Sequence, residues 1–512
     1  MNWLSKIVDE VTARHPEGEI VVSSGVSPSG TYHLGTLREV LTAEVIAREL
    51  KIRGRASRHI HVVDDLDVFR KIPVGVNSEY EKYLGLPLCD VPAPDGSNHS
   101  YADYYLADLL KAAKSLNLDM EVMRAHEKYR QGFFVPAIEK ALQNVTSIRK
   151  ILKDISGRDL GDEWSPVQVM EEGYLKNRPF VSIDTNKKEL TYLDKDGHKQ
   201  TTNYQKGEVK LNWRIDWPAR WWLLNVAVEP FGRDHATKGG SYDTGEIIVK
   251  EIFDTDPPLP VPYHFINRSG ETKKMSKSSG DTITAAELLE VLPAEVVWFF
   301  ILRFPPQKQL FFEEGPTLMK LVDDFSELLS RPNKSPEEEK LIELCRYKID
   351  TKTVSNIPFS HLVASYQASL HDPEKTLEVI KRTEHGLAAE ADAEVIKNEL
   401  KFIDAWLEKH APEDVKFSLL ETVDAAKFND SEKHFLSLLA DKVEKAPKDA
   451  DGEWFHKAIY DLGEEIQLKP KELFATLYQA LIGKDSGPRA GWFLSILPKD
   501  WLINRFRLKS HP

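Results

Sequence analysis

The chain has 512 residues, 41% of them hydrophobic and 29% charged, a length that calls for two to four domains and a composition ordinary for a globular protein. The net charge of −13 excludes a wholly basic protein that coats nucleic acid, although a local basic face suffices to bind it. Two cysteines, Cys89 and Cys345, form no C-x-x-C pair, which excludes a disulfide scaffold and a cysteine-based zinc ribbon and suits a reducing cytosol.

The first ten residues carry acids at helical spacing and do not read as a signal peptide. The longest apolar stretches, around Trp221–Val228 and Val296–Leu302, fall far short of the about 20 residues of a membrane span. A soluble cytoplasmic protein is expected. Glu19–Ser24 reads as a buried strand that runs into a Gly/Pro/Ser turn. A helix follows, with Leu37, Val40, Leu41, Ile46 and Leu50 as its apolar positions. A second strand, His59–Val63, ends in Asp64-Asp65. Between about 90 and 212 the pattern changes: helical spacing covers about 101–154, then comes a strand-rich patch with an Asp196-Gly197 hairpin signal. Strands return at Leu224–Val228, ending in Phe231-Gly232-Arg233-Asp234-His235, and at Tyr263–Ile266.

Strand, polar loop and helix in repetition predict an α/β fold with a doubly wound, parallel, Rossmann-type catalytic sheet, whose ligands bind at the carboxyl ends of the strands. After about residue 316 only helical patterns remain, punctuated at Pro332, Pro373, Pro412, Pro447 and Pro470. The expected organisation is a first sheet half over 1–95, a connective insertion over 96–210, a second half over 211–315 and an all-α carboxy-terminal domain over 316–512.

Two segments carry the chemistry. Pro28-Ser29-Gly30-Thr31-Tyr32-His33-Leu34-Gly35-Thr36 sets a His and two glycines where a helix begins. Glycine admits close backbone approach, and a helix amino terminus offers N–H groups to phosphate. His33 there can donate to a phosphoryl oxygen as charge builds; a strand-to-helix turn with a surface His is the plain alternative. Lys274-Met275-Ser276-Lys277-Ser278 is a small, cationic loop. Its two lysines can both reach a triphosphate, whereas such a loop alone is more often solvated surface. Together, in this order on an alternating α/β chain, they predict a site that holds ATP and expels pyrophosphate.

The first segment resembles the HIGH signature of class I aminoacyl-tRNA synthetases, and Lys274–Ser278 matches their KMSKS signature letter for letter. Leu34 and Thr36 depart from the ideal HIGH pattern, and Thr36 weakens the case for a second catalytic imidazole. Within that class the chain is most similar to class I lysyl-tRNA synthetase. The similarity rests on Val22–Gly30, Asp64–Asp67, Leu211–Trp221, Phe231–His235 with its continuation through Gly245, and Gly487–Leu494.

The resemblance implies ligation of L-lysine to tRNA, through a lysyl-adenylate and transfer to the 2′-hydroxyl of the terminal adenosine, with activation that can depend on bound tRNA. His33, Lys274 and Lys277 become the catalytic candidates. Pro28, Ser29, Gly30, Gly35, Thr36, Asp234, Gly239, Gly240, Met275, Ser276 and Ser278 join them around ATP with Mg²⁺. Gly25, Ser27, Asp65, Trp213, His235 and Tyr263 are the lysine candidates, and Asp216 and Asp243 are further candidate anions. Asp216 can instead tie the insertion to the sheet, and Asp243 with Glu246 reads equally as a helix cap. Asp95 and His99 are too few for a closed zinc site, so no structural zinc is expected. The run Trp501–Lys509 interleaves aromatic and basic residues, as an RNA-binding edge or a packed helix end would. Partners are tRNA and lysine, with no membrane and a monomeric state. The rival readings are a glutamyl- or glutaminyl-type class I synthetase, a small nucleotidyltransferase and a catalytically silent tRNA-binding paralogue.

Overall fold

The alternation in the first half folds into a five-stranded, wholly parallel sheet. The computed structural model describes residues 2–268, 283–349, 351–447 and 450–509, and Lys274–Ser278 lies outside them. Helix α1 spans Asn2–Arg14. Then come β1 (Ile20–Val26), α2 (Leu34–Ile52), β2 (Ser57–Val63), α3 (Tyr101–Ser115) and β3 (Glu121–Arg124). Helices α4 (Ala125–Arg130), α5 (Val135–Gln143) and α6 (Val145–Ser156) precede six short strands. These are β4 (Val167–Glu171), β5 (Tyr174–Asn177), β6 (Phe180–Asp184), β7 (Glu189–Leu193), β8 (Lys199–Asn203) and β9 (Val209–Leu211). The sheet resumes through α7 (Trp213–Leu224), β10 (Val226–Gly232), α8 (Ser241–Glu251) and β11 (Leu259–Tyr263). Its strand order is β11-β10-β1-β2-β3, which sets the ends of β1 and β10 side by side.

Three boundaries differ from the sequence reading. The strand expected at Tyr263–Ile266 is β11, four residues earlier, in Leu259-Pro260-Val261-Pro262-Tyr263. Proline cannot donate to a ladder, but β11 is an edge strand, where that is tolerated. Leu224 and Asn225 end α7 instead of opening β10, because Asn225 takes a left-handed φ of 52° and stops the helix. The helical spacing over 101–154 is interrupted by β3, which adds a fifth strand to the main sheet from within the stretch read as an insertion. Beyond it, β5-β4-β9 and β6-β7-β8 form two small antiparallel sheets. The predicted hairpin joins β7 to β8, with Gly197 at φ 82°.

Helix α2 is enclosed on nearly all sides, so its charged residues each find a partner. Arg38 donates to the carbonyls of Pro306 and Lys308, and Arg48 lies 4.2 Å from the ring centroid of Trp298. Glu44 receives Nδ1 of His59 at 2.9 Å, and Ser24 bridges His59 and His61 at 2.7 and 2.8 Å. This chain braces β1 one residue before Gly25.

The main sheet is followed by β12 (Ile266–Arg268), α9 (Ala285–Val291), α10 (Ala294–Leu302) and β13 (Leu310–Phe312), then α11 (Pro316–Ser330) and α12 (Pro336–Cys345). The remaining described elements are helical: α13 (Phe359–Ala368), α14 (Pro373–Lys381), α15 (Gly386–Ala391), α16 (Ala393–Lys409), α17 (Asp430–Glu444), α18 (Gly452–Ile466), α19 (Pro470–Leu481), α20 (Ala490–Ile496) and α21 (Lys499–Phe506). The chain divides into two compact units. One comprises Met1–Leu289, Val297–Phe312 and Ser335–Lys348; the other comprises Glu290–Val296, Glu313–Lys334 and Ile349–Pro512. Helix α12 thus belongs with the sheet unit, where Lys340 pairs with Glu49 at 2.9 Å.

In the helical unit Phe435, Leu439, Leu462, Leu477, Phe493 and Leu502 anchor one core. A side chain at Gly491 would lie 2.2 Å from the Gly452 carbonyl, so the Gly487–Gly491 stretch is a tight helix junction. Within Trp501–Lys509, Leu502, Arg505 and Phe506 are buried and Arg505 donates to the Leu420 carbonyl, so that run is a packed helix end.

Candidate active site

The site assembles where β1, β2, β10 and β11 release their chains. After β1 the turn through Pro28, Ser29 and Gly30 leads to His33, the N-cap of α2. Gly30 and Pro28 are buried, Ser29 is exposed, and the Ser29 carbonyl accepts the Tyr101 hydroxyl at 3.3 Å. His33 Nδ1 accepts the Gly35 N–H at 3.0 Å. That acceptance places the proton of the neutral imidazole on Nε2, making Nε2 a donor. Gly35 is what permits the cap: a Cβ there would lie 2.7 Å from His33 Cε1 and 2.9 Å from Nδ1. Thr36 follows in the buried first turn. A 19-residue helix directs its positive end at this point, a ready anion site.

The flank of the second signature returns to the same place. Thr284 forms an antiparallel bridge with His33, and the Ala285 N–H donates to the Tyr32 carbonyl at 2.8 Å. Lys274, Met275, Ser276, Lys277 and Ser278 themselves lie outside the described residues.

One residue that sequence reading missed ties two of the strand ends together. Glu39, on α2, accepts the Gly25 N–H at 2.9 Å with one oxygen and the Tyr263 hydroxyl at 2.7 Å with the other. Two expected lysine contacts, from the ends of β1 and β11, thus converge on one partly buried carboxylate. Burial, with Glu39 alongside, pushes the Tyr263 hydroxyl well above its ordinary range, so it stays a neutral donor. Gly25 is tight as well, since a Cβ would meet the Val62 carbonyl at 3.1 Å. Ser27 sits partly buried in the turn between Gly25 and Pro28. The only local signal for Glu39 was a carboxylate beside Arg38 between the apolar positions Leu37 and Val40.

A second group lies after β10, the strand between β1 and β11. Trp213, the first residue of α7, stacks on Trp217 at 5.3 Å, and the His235 ring lies 6.0 and 5.4 Å from the two indoles. Trp213 and His235 therefore do form one aromatic wall. Asp234 is exposed beside them.

Other candidates are accounted for by the fold. Asp65 is fully buried; its carboxylate accepts from Arg124, from the His126 N–H at 2.8 Å and from His126 Nδ1 at 2.6 Å. It is saturated inside the protein. Asp216 is likewise buried against Arg220 and the Tyr129 hydroxyl. Asp243 is not an N-cap: α8 starts at Ser241, and Asp243 in its first turn accepts the Gly239 N–H at 2.8 Å. A Cβ at Gly239 would lie 2.8 Å from the Ile155 carbonyl, and one at Gly240 would lie 2.5 Å from that of His235. Glycine at both is required by the loop itself. Among the described residues, the one cluster of three or more metal-type side chains is Asp194, Asp196 and His198 on the β7–β8 hairpin. There Asp194 accepts the Asp196 and His198 N–H groups, as a turn does.

The helical unit carries a groove of about 1860 Å³ whose lining includes His361, His385, Tyr460, Arg489 and Trp492. His361 lies 4.6 Å from His385 and 4.4 Å from Trp492. Burial first, then the neighbouring His385, pulls the His361 imidazole down to about 3. No helix among the described residues is long and apolar enough to cross a membrane.

Comparison with known proteins gives matches along both halves of the chain. Residues 1–351 match the family described as tRNA synthetases class I (K), and residues 395–509 match an anticodon binding domain. The lysine–tRNA ligase 1 of Methanosarcina acetivorans is 36% identical, covering 100% of this chain and 98% of its own. The lysine–tRNA ligases of Archaeoglobus fulgidus and Methanosarcina barkeri are 35% and 34% identical, covering 99% and 100% of this chain and 99% and 98% of their own.

Proposed function

The chain belongs to the class I (K) family of tRNA synthetases, and from that premise we propose that it activates L-lysine with ATP and ligates it to tRNA. The observation that carries the reading is Glu39. Its carboxylate accepts from the Gly25 N–H and the Tyr263 hydroxyl, which fixes an anionic group where β1 and β11 end. An ammonium group of lysine is complementary to that carboxylate. Trp213 and His235, beyond the neighbouring strand, line the methylene chain.

In the first step the lysine carboxylate oxygen attacks the α-phosphorus of ATP. The bond from that phosphorus to the bridging oxygen breaks, and pyrophosphate leaves with its electron pair. His33 Nε2 donates to phosphoryl oxygen as charge builds, and the amino terminus of α2 faces the same charge. Lys274 and Lys277 neutralise the departing pyrophosphate; Lys277 stands seven residues before Thr284, within about 25 Å of extended chain from His33. No side-chain nucleophile is required, because alignment and fixed charge supply most of the rate. The buried carboxylates Asp64, Asp65 and Asp216 already serve Arg220, Arg124 and His126, so Mg²⁺ fits this site as a companion of the triphosphate. When bound it screens the phosphate charge. In the second step the 2′-hydroxyl of the terminal adenosine attacks the lysyl carbonyl, the bond from that carbon to the phosphate oxygen breaks, and AMP leaves, its phosphate taking up the hydroxyl proton. The groove around His361 and Trp492 suits unpaired bases, which stack on neutral aromatic faces. ATP–pyrophosphate exchange with each amino acid, with and without total tRNA, tests this reading. Lysine alone is expected to support exchange; exchange driven by glutamate and not lysine would overturn it.

A further inference from the structure

Behind Trp213 lies a closed circuit of buried charge that the chemistry above does not use. Strand β9 supplies two members. The Leu211 N–H donates to the Tyr129 hydroxyl at 3.2 Å, and Lys210 Nζ lies 3.5 Å from Asp64 and 3.2 Å from Asp67. The Tyr129 hydroxyl in turn donates to Asp216, in the first turn of α7. Asp216 pairs with Arg220 one turn on, and Arg220 donates to Asp64 at 2.7 Å, which closes the circuit at the end of β2. Lys210, Arg220, Asp64 and Asp216 are all buried, and Tyr129 is stacked flat on Phe134 at 4.0 Å.

Removing one member of such a network strands its partners without water, so the members hold one arrangement. The circuit reaches the site at one point. The Arg220 guanidinium lies 5.7 Å from the Trp213 ring centroid, and Asp216 is three residues from Trp213 on the same helix turn. The tryptophan that walls the pocket is thus fixed by a helix whose first turn is tethered to β9, a strand paired with β4 in the insertion.

We propose that this circuit is the positioning device for Trp213, through which the β4–β9 sheet of the insertion and the lysine-side wall of the site move as one body. The proposal rests on the reading of the site as a lysine pocket. Tyr129 and Asp216 touch no substrate in it; they are positioning residues that act through Trp213.

A double-mutant cycle on the full-length protein tests this, with Tyr129→Phe, Trp213→Phe and the pair, read as the KM for lysine in ATP–pyrophosphate exchange. Each single variant is expected to raise that KM about tenfold while the KM for ATP stays within about twofold. The pair is expected to match Trp213→Phe alone, because a positioning role is lost with the residue positioned. Multiplying effects in the pair, or a Tyr129→Phe change in both KM values together, would show a generally structural residue and overturn the proposal. Should Tyr129→Phe not fold, as judged by its melting transition, Asp216→Asn breaks the same circuit and carries the same expectation. Lack of lysine-dependent exchange in the unaltered protein would instead remove the functional reading beneath the proposal, an outcome distinct from multiplying effects.

Discussion

Glu39 shows how a site can hide from its own sequence. Its two donors stand 14 residues before it and 224 after it, and the pairing exists only once β1 and β11 flank β10. Replacing it with Gln removes the charge while the amide oxygen still accepts the Gly25 N–H and the amide N–H donates to the Tyr263 hydroxyl, reversing that bond. Glu39→Gln is expected to raise the KM for lysine by roughly 10- to 100-fold, the range for a hydrogen bond to a charged group, with a smaller change in turnover. Lysine titration of pyrophosphate exchange checks this, and an unchanged KM would remove Glu39 from the pocket. Gly35 makes the complementary case. Its Cβ would displace the His33 ring from the cap. Gly35→Ala is therefore expected to lower turnover by roughly a hundredfold, as loss of one oriented donor does, and to leave lysine affinity nearly intact. The cap between His33 and Gly35 was legible because its two members are neighbours in sequence. Asp65 was misleading for the opposite reason: the Arg124 and His126 that saturate it lie about 60 residues away.

Among the elements, strands with regular apolar runs were legible and those with unusual composition were not. β11 carries two prolines and sits at an edge, where a missing N–H costs little; β3 is four residues long and adjoins a helix. Helix α16 carries a different consequence of burial. Glu399 on it is buried and accepts the Ser355 N–H at 2.9 Å. Burial, with Glu295 nearby, raises its carboxyl from 4.5 to about 8. The folded state therefore holds a proton that the unfolded chain has lost above pH 4.5, so this contribution to stability falls as pH rises from 4.5 to 8. His361, lowered from 6.5 to about 3, acts oppositely, since the unfolded chain takes up a proton below 6.5 that the fold refuses. Of these two groups, Glu399 is the one that operates between pH 6.5 and 8. Glu399→Gln is expected to flatten the decline in melting temperature across that window, and a slope identical to that of the unaltered protein would show the group ionised throughout.

For the whole molecule, the parallel sheet was legible because it is written in local periodicity, and the division into units was not. Helix α12 and residues 290–296 each belong to the unit that their sequence neighbours do not, which follows from packing partners rather than from composition. The reaction class was legible in the two signatures, and Thr284, six residues beyond the second, bridges to His33. In the proposed reading the choice of amino acid falls to Glu39, Tyr263 and Trp213, which come from three separate elements. Ligation of lysine to tRNA is the central claim, and charging measures it most directly. Incubation with ATP, labelled lysine and total tRNA is expected to yield acid-precipitable lysyl-tRNA that is labile to mild base, with none from labelled glutamate. Label carried into tRNA by glutamate and not by lysine would contradict the account.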